Sequence, residues 1–156
     1  MVAAPLPRWK AAYMVLVYAD ATALTAWTGQ AAPANATQLL RSASMLITSA
    51  TVASVYGVDD AGLPSDATVL EAFRDATCAQ VAYWVAAGVD PAAGGISTSA
   101  PVRGKSLGSG RVEYDTAVSG SVNAFQAKRA AATTLCAEAF MILQQAGVTP
   151  SGVQRG

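Results

Sequence analysis

The sequence predicts a mainly α protein: a small antiparallel helical bundle of three long helices and a short N-terminal one, with a β-hairpin inserted before the last long helix. Three observations predict it. Apolar residues recur at helical spacing in three Ala-rich stretches, and cap and stop residues bracket those stretches. A Gly-punctuated β element, KSLGSGRVEYD at 105–115, with period-two alternation over 111–115, falls between the second and third of them.

Taken in order, residues 1–7 form a loose arm, because Pro5 and Pro7 oppose regular structure. YMVLVY at 13–18 supports either a short strand or a helix. Asp20 is a suitable N-cap for a short helix through Trp27, which Gly29 ends. Asn35, with Gln38 three residues on, opens the first long helix as a capping box. Leu39, Leu40, Ala43, Leu46, Ile47 and Ala50 make its apolar stripe, with Arg41, Ser42, Ser44 and Thr48 off it, and the helix should end near Ala53. Gly57, Asp59, Asp60, Gly62 and Pro64 mark a loop.

Ser65 or Asp66 caps the second long helix, whose inner face is Val69, Leu70, Phe73, Thr77, Gln80, Val81 and Trp84. Gly88, followed by Val89-Asp90-Pro91, stops it. After a Gly-containing linker, residues 102–107 and 111–115 are expected to pair as a hairpin around Gly108-Ser109-Gly110. Asn123 with Gln126 opens the third long helix, striped by Ala132, Leu135, Cys136, Ala139, Ile142, Leu143 and Ala146 and ended by Gly147 and Pro150. Residues 1–147 are thus expected to form one domain, with the hairpin insertion at about 95–118. Residues 148–156, too poor in apolar content to fold alone, form a flexible tail that orders on a partner.

Composition narrows the function. Ten basic residues balance ten acidic ones, and charged residues make up 13% of a chain that is 53% hydrophobic, against about 25% charged in ordinary soluble domains. So much apolar surface points to self-association or docking. Net neutrality argues against a dedicated nucleic-acid binder. Arg8 and Lys10 before the apolar run 11–19 superficially resemble a secretory signal, but Tyr13, Tyr18 and the lack of a cleavage site favour mature structure. No run of ~18 apolar residues suggests a membrane span. Cys78 and Cys136, each within a helical stretch, read as buried free thiols, a pattern that suits a reducing cytoplasm.

The chain has no histidine, so a Ser-His-Asp or Cys-His site cannot be built from it. The two cysteines lack zinc-like spacing, and Asp59-Asp60 lacks the further ligands of a calcium loop and reads as a solvated turn. Gly104-Lys105-Ser106 misses the phosphate-loop pattern, since Ser99 stands where a glycine is needed and Leu107-Gly108 follows in place of a helix. No catalytic residue, cofactor or metal is therefore expected. Arg103, Lys105 and Arg111 cluster on the hairpin: in a monomer they keep an edge strand soluble, whereas repeated around a ring they would line its hole with positive potential for DNA backbone.

The order of elements, AFRDATCAQ at 72–80, the KSLG turn at 105–108 followed by RVEY at 111–114, and AEAFMILQQAG at 137–147 together resemble the head-to-tail adaptor (connector) proteins of long-tailed bacteriophages, over roughly residues 20–148. The linker at Gly94-Gly95 departs from that pattern in length. The resemblance implies a homo-oligomeric ring, usually of twelve subunits, at the head–tail interface of the virion and assembled in the host cytoplasm. Such a ring sits between the portal protein and a stopper or tail-completion protein, extends the DNA channel with non-specific DNA contact, and completes the head for tail attachment. Carried onto this chain, Val148, Thr149, Pro150, Val153, Gln154 and Arg155 become the candidate portal-docking tail, and Arg103, Lys105 and Arg111 the candidate channel-facing or stopper-facing loop. Two other readings stay open: another neck or tail-completion protein of the same virion, and a non-viral monomeric helical binding module.

Overall fold

The computed structural model describes residues 15–94 and 117–148. The protein is mainly helical over these residues: α1 (Ala21–Thr28), α2 (Ala36–Ala50), α3 (Ala67–Ala87), α4 (Ala117–Thr133) and α5 (Ala137–Gln145). An isolated antiparallel bridge pairs Val58 with Pro64, and no longer strand occurs among the described residues. The expected hairpin falls almost entirely on residues 95–116, outside those described. Of residues 13–18, for which the sequence supports both strand and helix, residues 15–18 are described, and they are neither helical nor paired as a strand.

Local signals account for most helix ends. The Asp20 side chain accepts from Ala23 N at 2.8 Å and starts α1, and Gly29, left-handed at φ 68°, closes it. Of the two candidate caps for α3, Asp66 is the one used, its Oδ1 accepting from Thr68 N and Val69 N at 2.8 and 3.2 Å. Asn35 does precede α2, but its side chain makes no capping hydrogen bond, so the expected box is not formed. That helix also ends at Ala50, earlier than expected, where the Thr51 hydroxyl turns back to Ile47 O at 2.9 Å.

The last long helix departs most from expectation. It is two helices, α4 beginning at Ala117 and α5 at Ala137, with Asn123 exposed inside α4 and not at its cap. At the break, the Thr134 hydroxyl donates to Ala130 O at 2.9 Å, and the Cys136 backbone N–H donates to the Gln80 side-chain oxygen at 2.7 Å. Cys136 then caps α5 through its sulfur, which accepts from Ala139 N at 3.5 Å. A fully buried Gln on α3 thus takes the donor that a continuous helix would have used within itself.

The described residues form two compact units, one of residues 15–83 with 135–148 and one of residues 84–94 with 117–134. In the first, a core of Tyr18, Ile47, Phe73, Ala76, Ala79, Ala139 and Leu143 centres on Phe73 of α3. Tyr18 and Tyr56 meet the Phe73 ring edge-on, at centroid distances of 5.0 and 5.2 Å. Ser44, expected off the stripe of α2, is completely buried, because its hydroxyl accepts from Tyr18 N at 3.1 Å while donating to Leu40 O at 2.8 Å. In the second unit Trp84 is buried, and its indole Nε1–H donates to Ala131 O at 2.7 Å.

Helices α3 and α5 end alike. Gly88 and Gly147 take φ of 62° and 75°. In each case the next residue, a valine, donates its N–H back into the helix, Val89 to Trp84 O at 2.9 Å and Val148 to Leu143 O at 3.0 Å, while the glycine N–H bonds inside that pair. Both valines are buried. This corrects the expectation for Val148: it closes the core as the last residue of a Schellman motif and is not part of a tail. The expected tail from residue 149 onward lies outside the described residues.

Phe73→Ala should cost about 3–5 kcal/mol in urea unfolding, as truncation of a large buried aromatic does. A Cβ at Gly147 would meet nothing within 4 Å, so Gly147→Ala should cost only the backbone penalty of the left-handed conformation, about 1–2 kcal/mol by the same measurement.

Candidate interaction site

The positively charged candidates Arg103, Lys105 and Arg111 lie outside the described residues, as do Thr149, Pro150, Val153, Gln154 and Arg155. Val148 alone is described, and it is buried at 3% exposure.

One surface feature is built around residues 15–20. Alternation places Leu16 and Tyr18 toward the core and leaves Val17 47% exposed. Leu16 reaches the tight loop after α2, where its methyl carbons stand 3.6 and 3.7 Å from the position a Cβ would take on Gly62. That loop is the solvated turn read from the sequence: Asp59 Oδ1 accepts from Ala61 N and Leu63 N at 2.9 Å, and Gly62 turns at φ 85°. The turn tips Leu63 toward the core while leaving it only half-buried.

Between residues 17–20 and the first turns of α3 lies an open hollow of about 620 Å³. Val17, Leu63, Ala67 and Leu70 give it an apolar lining, and Asp20, Glu71 and Arg74 supply its charge. A smaller hollow of about 300 Å³ on the other side of the same segment is lined by Val15, Ala19, Thr37, Leu40 and Arg41. A third, of about 610 Å³, lies beside Tyr83, Leu135, Cys136 and Glu138.

Burial raises four titratable groups among the described residues. Burial pushes the Cys78 thiol up to about 11, reinforced by the negative Asp75 and opposed by Arg74. Burial likewise raises Cys136, although the Ala139 N–H on its sulfur works the other way. The Tyr18 phenol is raised by burial, against its hydrogen bond with Thr48, and the Asp75 carboxyl is raised by partial burial and by Glu71. Both thiols are therefore protonated at neutral pH and poor nucleophiles. No group of three or more Cys, Asp or Glu residues is arranged to hold a metal ion among the described residues, and no described helix is long and apolar enough to cross a membrane.

Sequence reasoning did not find the main hollow, because its walls come from three separate stretches that only the fold brings together. The one local signal was Leu63, an isolated large apolar residue between Gly62 and Pro64 in an otherwise polar turn. Comparison with models of protein families, with curated proteins and with solved structures returned no match.

The raised thiols generate a pH dependence. In the unfolded chain Cys78 would lose its proton near its ordinary value of 9.0, whereas the folded chain holds it to about 11. The stability this contributes is complete below pH 9 and is lost as pH rises toward 11. Unfolding free energy should therefore fall over that interval, and Cys78→Ala should lower stability at neutral pH while flattening the alkaline slope. Thiol titration at about pH 8 should find both cysteines slow to react in the native protein and fast in urea.

Proposed function

We propose that this chain is a structural virion protein, a head-to-tail connector of a long-tailed bacteriophage, working by ring formation and by ordering of a tail on docking. The observation that carries the reading is apolar surface without chemistry. Val52 and Val55 beyond α2 are 83% and 102% exposed, Met45 on α2 is 54% exposed, and Phe140 and Met141 on α5 are 38% and 52% exposed. Side chains of this kind repeated on several elements suit burial between copies of a subunit. The absence of histidine and the protonated state of both thiols agree with a role that is geometric.

In this reading the helices form an antiparallel bundle, and the hairpin at about 95–118 projects from it. In a ring of about twelve subunits Arg103, Lys105 and Arg111 are multiplied around the channel, where they hold DNA backbone without reading sequence. Residues 149–155 grip the portal, and repetition around the ring turns a weak individual contact into a strong collective one. The resemblance of residues 72–80, 105–114 and 137–147 to the adaptor family supports this arrangement, and a stopper or tail-completion protein would occupy the opposite side.

Electron microscopy of lysates from a phage lacking this gene tests the reading: DNA-filled or leaking heads without tails, beside free tails, are expected, and normal infectious virions would overturn it. Val55→Asp, at a fully exposed position, should change folding stability by less than about 0.5 kcal/mol yet reduce ring assembly on portal complexes, read by mass measurement of the assembled particles. Removal of residues 149–156 should leave the fold intact and abolish capture by purified portal. Capture by isolated tails in its place would move the protein to the tail-completion side of the neck.

A further inference from the structure

We infer that the hollow between residues 17–20 and the start of α3 is a docking groove for an extended peptide segment of a partner protein, one in which a large apolar side chain and a lysine or arginine alternate on one face. The hollow, at about 620 Å³, falls in the range of about 300–1,000 Å³ typical of clefts that hold a ligand. Val17, Leu63 and Leu70 give it an apolar wall. None of the three is fully buried, so a side chain seated on them removes further apolar area from water.

Charge selects the occupant. Asp20 and Glu71 line the hollow against the single guanidinium of Arg74, and Asp75, one turn on from Glu71, is close enough to feel its charge. The imbalance extends beyond the hollow: the described residues of the unit that holds it carry seven acidic and two basic side chains, although the whole chain is neutral. A cationic segment is drawn to such a surface and an anionic one is repelled. The smaller hollow lacks this bias, since Arg41 offsets Asp20 there and no second carboxylate is present.

The backbone favours an extended occupant. Tyr18 N–H turns toward α2, where Ser44 Oγ accepts it. Successive residues of an extended chain turn their backbone groups to opposite edges, so those of Val17 and Ala19 turn toward α3, where the hollow lies. A peptide laid along that edge adds as a strand and binds through its main chain. Alternate side chains of such a peptide share a face, which sets the apolar and basic residues of the occupant two apart. The first reaches Val17, Leu63 and Leu70, and the second reaches Glu71 and Asp20.

The inference does not depend on the connector reading: it concerns one chain, and it holds whether or not that chain builds a ring. The test is a nuclear magnetic resonance titration of the isotopically labelled full-length protein with the blocked peptide Thr-Phe-Thr-Lys-Thr-Lys-Thr, and with its counterpart carrying glutamate in place of both lysines. The first peptide should shift the signals of Val17, Ala19, Leu63, Leu70 and Glu71 saturably while the core signals of Phe73 and Trp84 stay in place, and the second should move none of them. Glu71→Lys, at an exposed position, should weaken binding of the first peptide about tenfold and allow the second to bind. Absence of shifts at these residues with the first peptide would overturn the proposal, as would equal binding of the two peptides or an affinity that Glu71→Lys leaves unchanged. Signals of the same residues that move with protein concentration, in the absence of peptide, would give the groove to a second copy and overturn a partner's segment as its occupant.

Discussion

The edge-to-face contact of Tyr18 on Phe73 ties together the parts of this molecule that are distant in sequence. Phe73 is fully buried on α3, and Tyr18 belongs to a segment with no helix or strand partner of its own. That segment is held by the ring against Phe73, by the phenol oxygen against Thr48, and by the backbone N–H on Ser44. Once Tyr18 is docked, the period-two alternation of an extended chain decides the rest. Leu16 must reach inward to the Gly62 turn, and Val17 must face out. The hollow between residues 17–20 and the start of α3 is a consequence of this anchoring.

Polar groups inside the core act mainly as guides for position. Ser44 receives an extended chain, and Gln80 receives the backbone N–H of Cys136 at the start of α5. Both would be costly to bury without a partner, and both are satisfied by a backbone group from a distant part of the sequence; the buried Thr51 and Thr77 hydroxyls bond within their own helices. A core built only from alanine and leucine would pack these elements with less discrimination between registers. The two long-range hydrogen bonds supply that discrimination where small alanine side chains cannot.

Legibility in the sequence divides along the same line. Asp20, Gly29, Asp66, Gly88 and Gly147 are legible because a cap or a left-handed turn is dictated by a few neighbouring residues. The inner face of α3 is legible because its periodicity is local. The break between α4 and α5 is not, since Leu135, Cys136 and Ala139 continue a helical stripe and nothing nearby announces Gln80 as the competing acceptor. Ser44 misleads for a related reason: a serine looks solvent-facing until a partner 26 residues away is known. Val148 misleads because the apolar residue after a terminal glycine belongs to the helix end and not to the segment beyond it. The main hollow is invisible to local reading because its walls come from three stretches.

The shared Gly-Val ending of α3 and α5 has a mechanical consequence. A bare helix terminus frays one residue at a time when the chain beyond it is pulled. Here a pull on the chain beyond residue 148 must first break a hydrogen bond to Leu143 and lift a valine out of the same cluster that holds Phe73. Tension applied beyond α5 is therefore delivered to the core as a whole. The closing valine works like the clamp where a cable enters its housing: the end of α5 does not fray ahead of the core to which it is fixed.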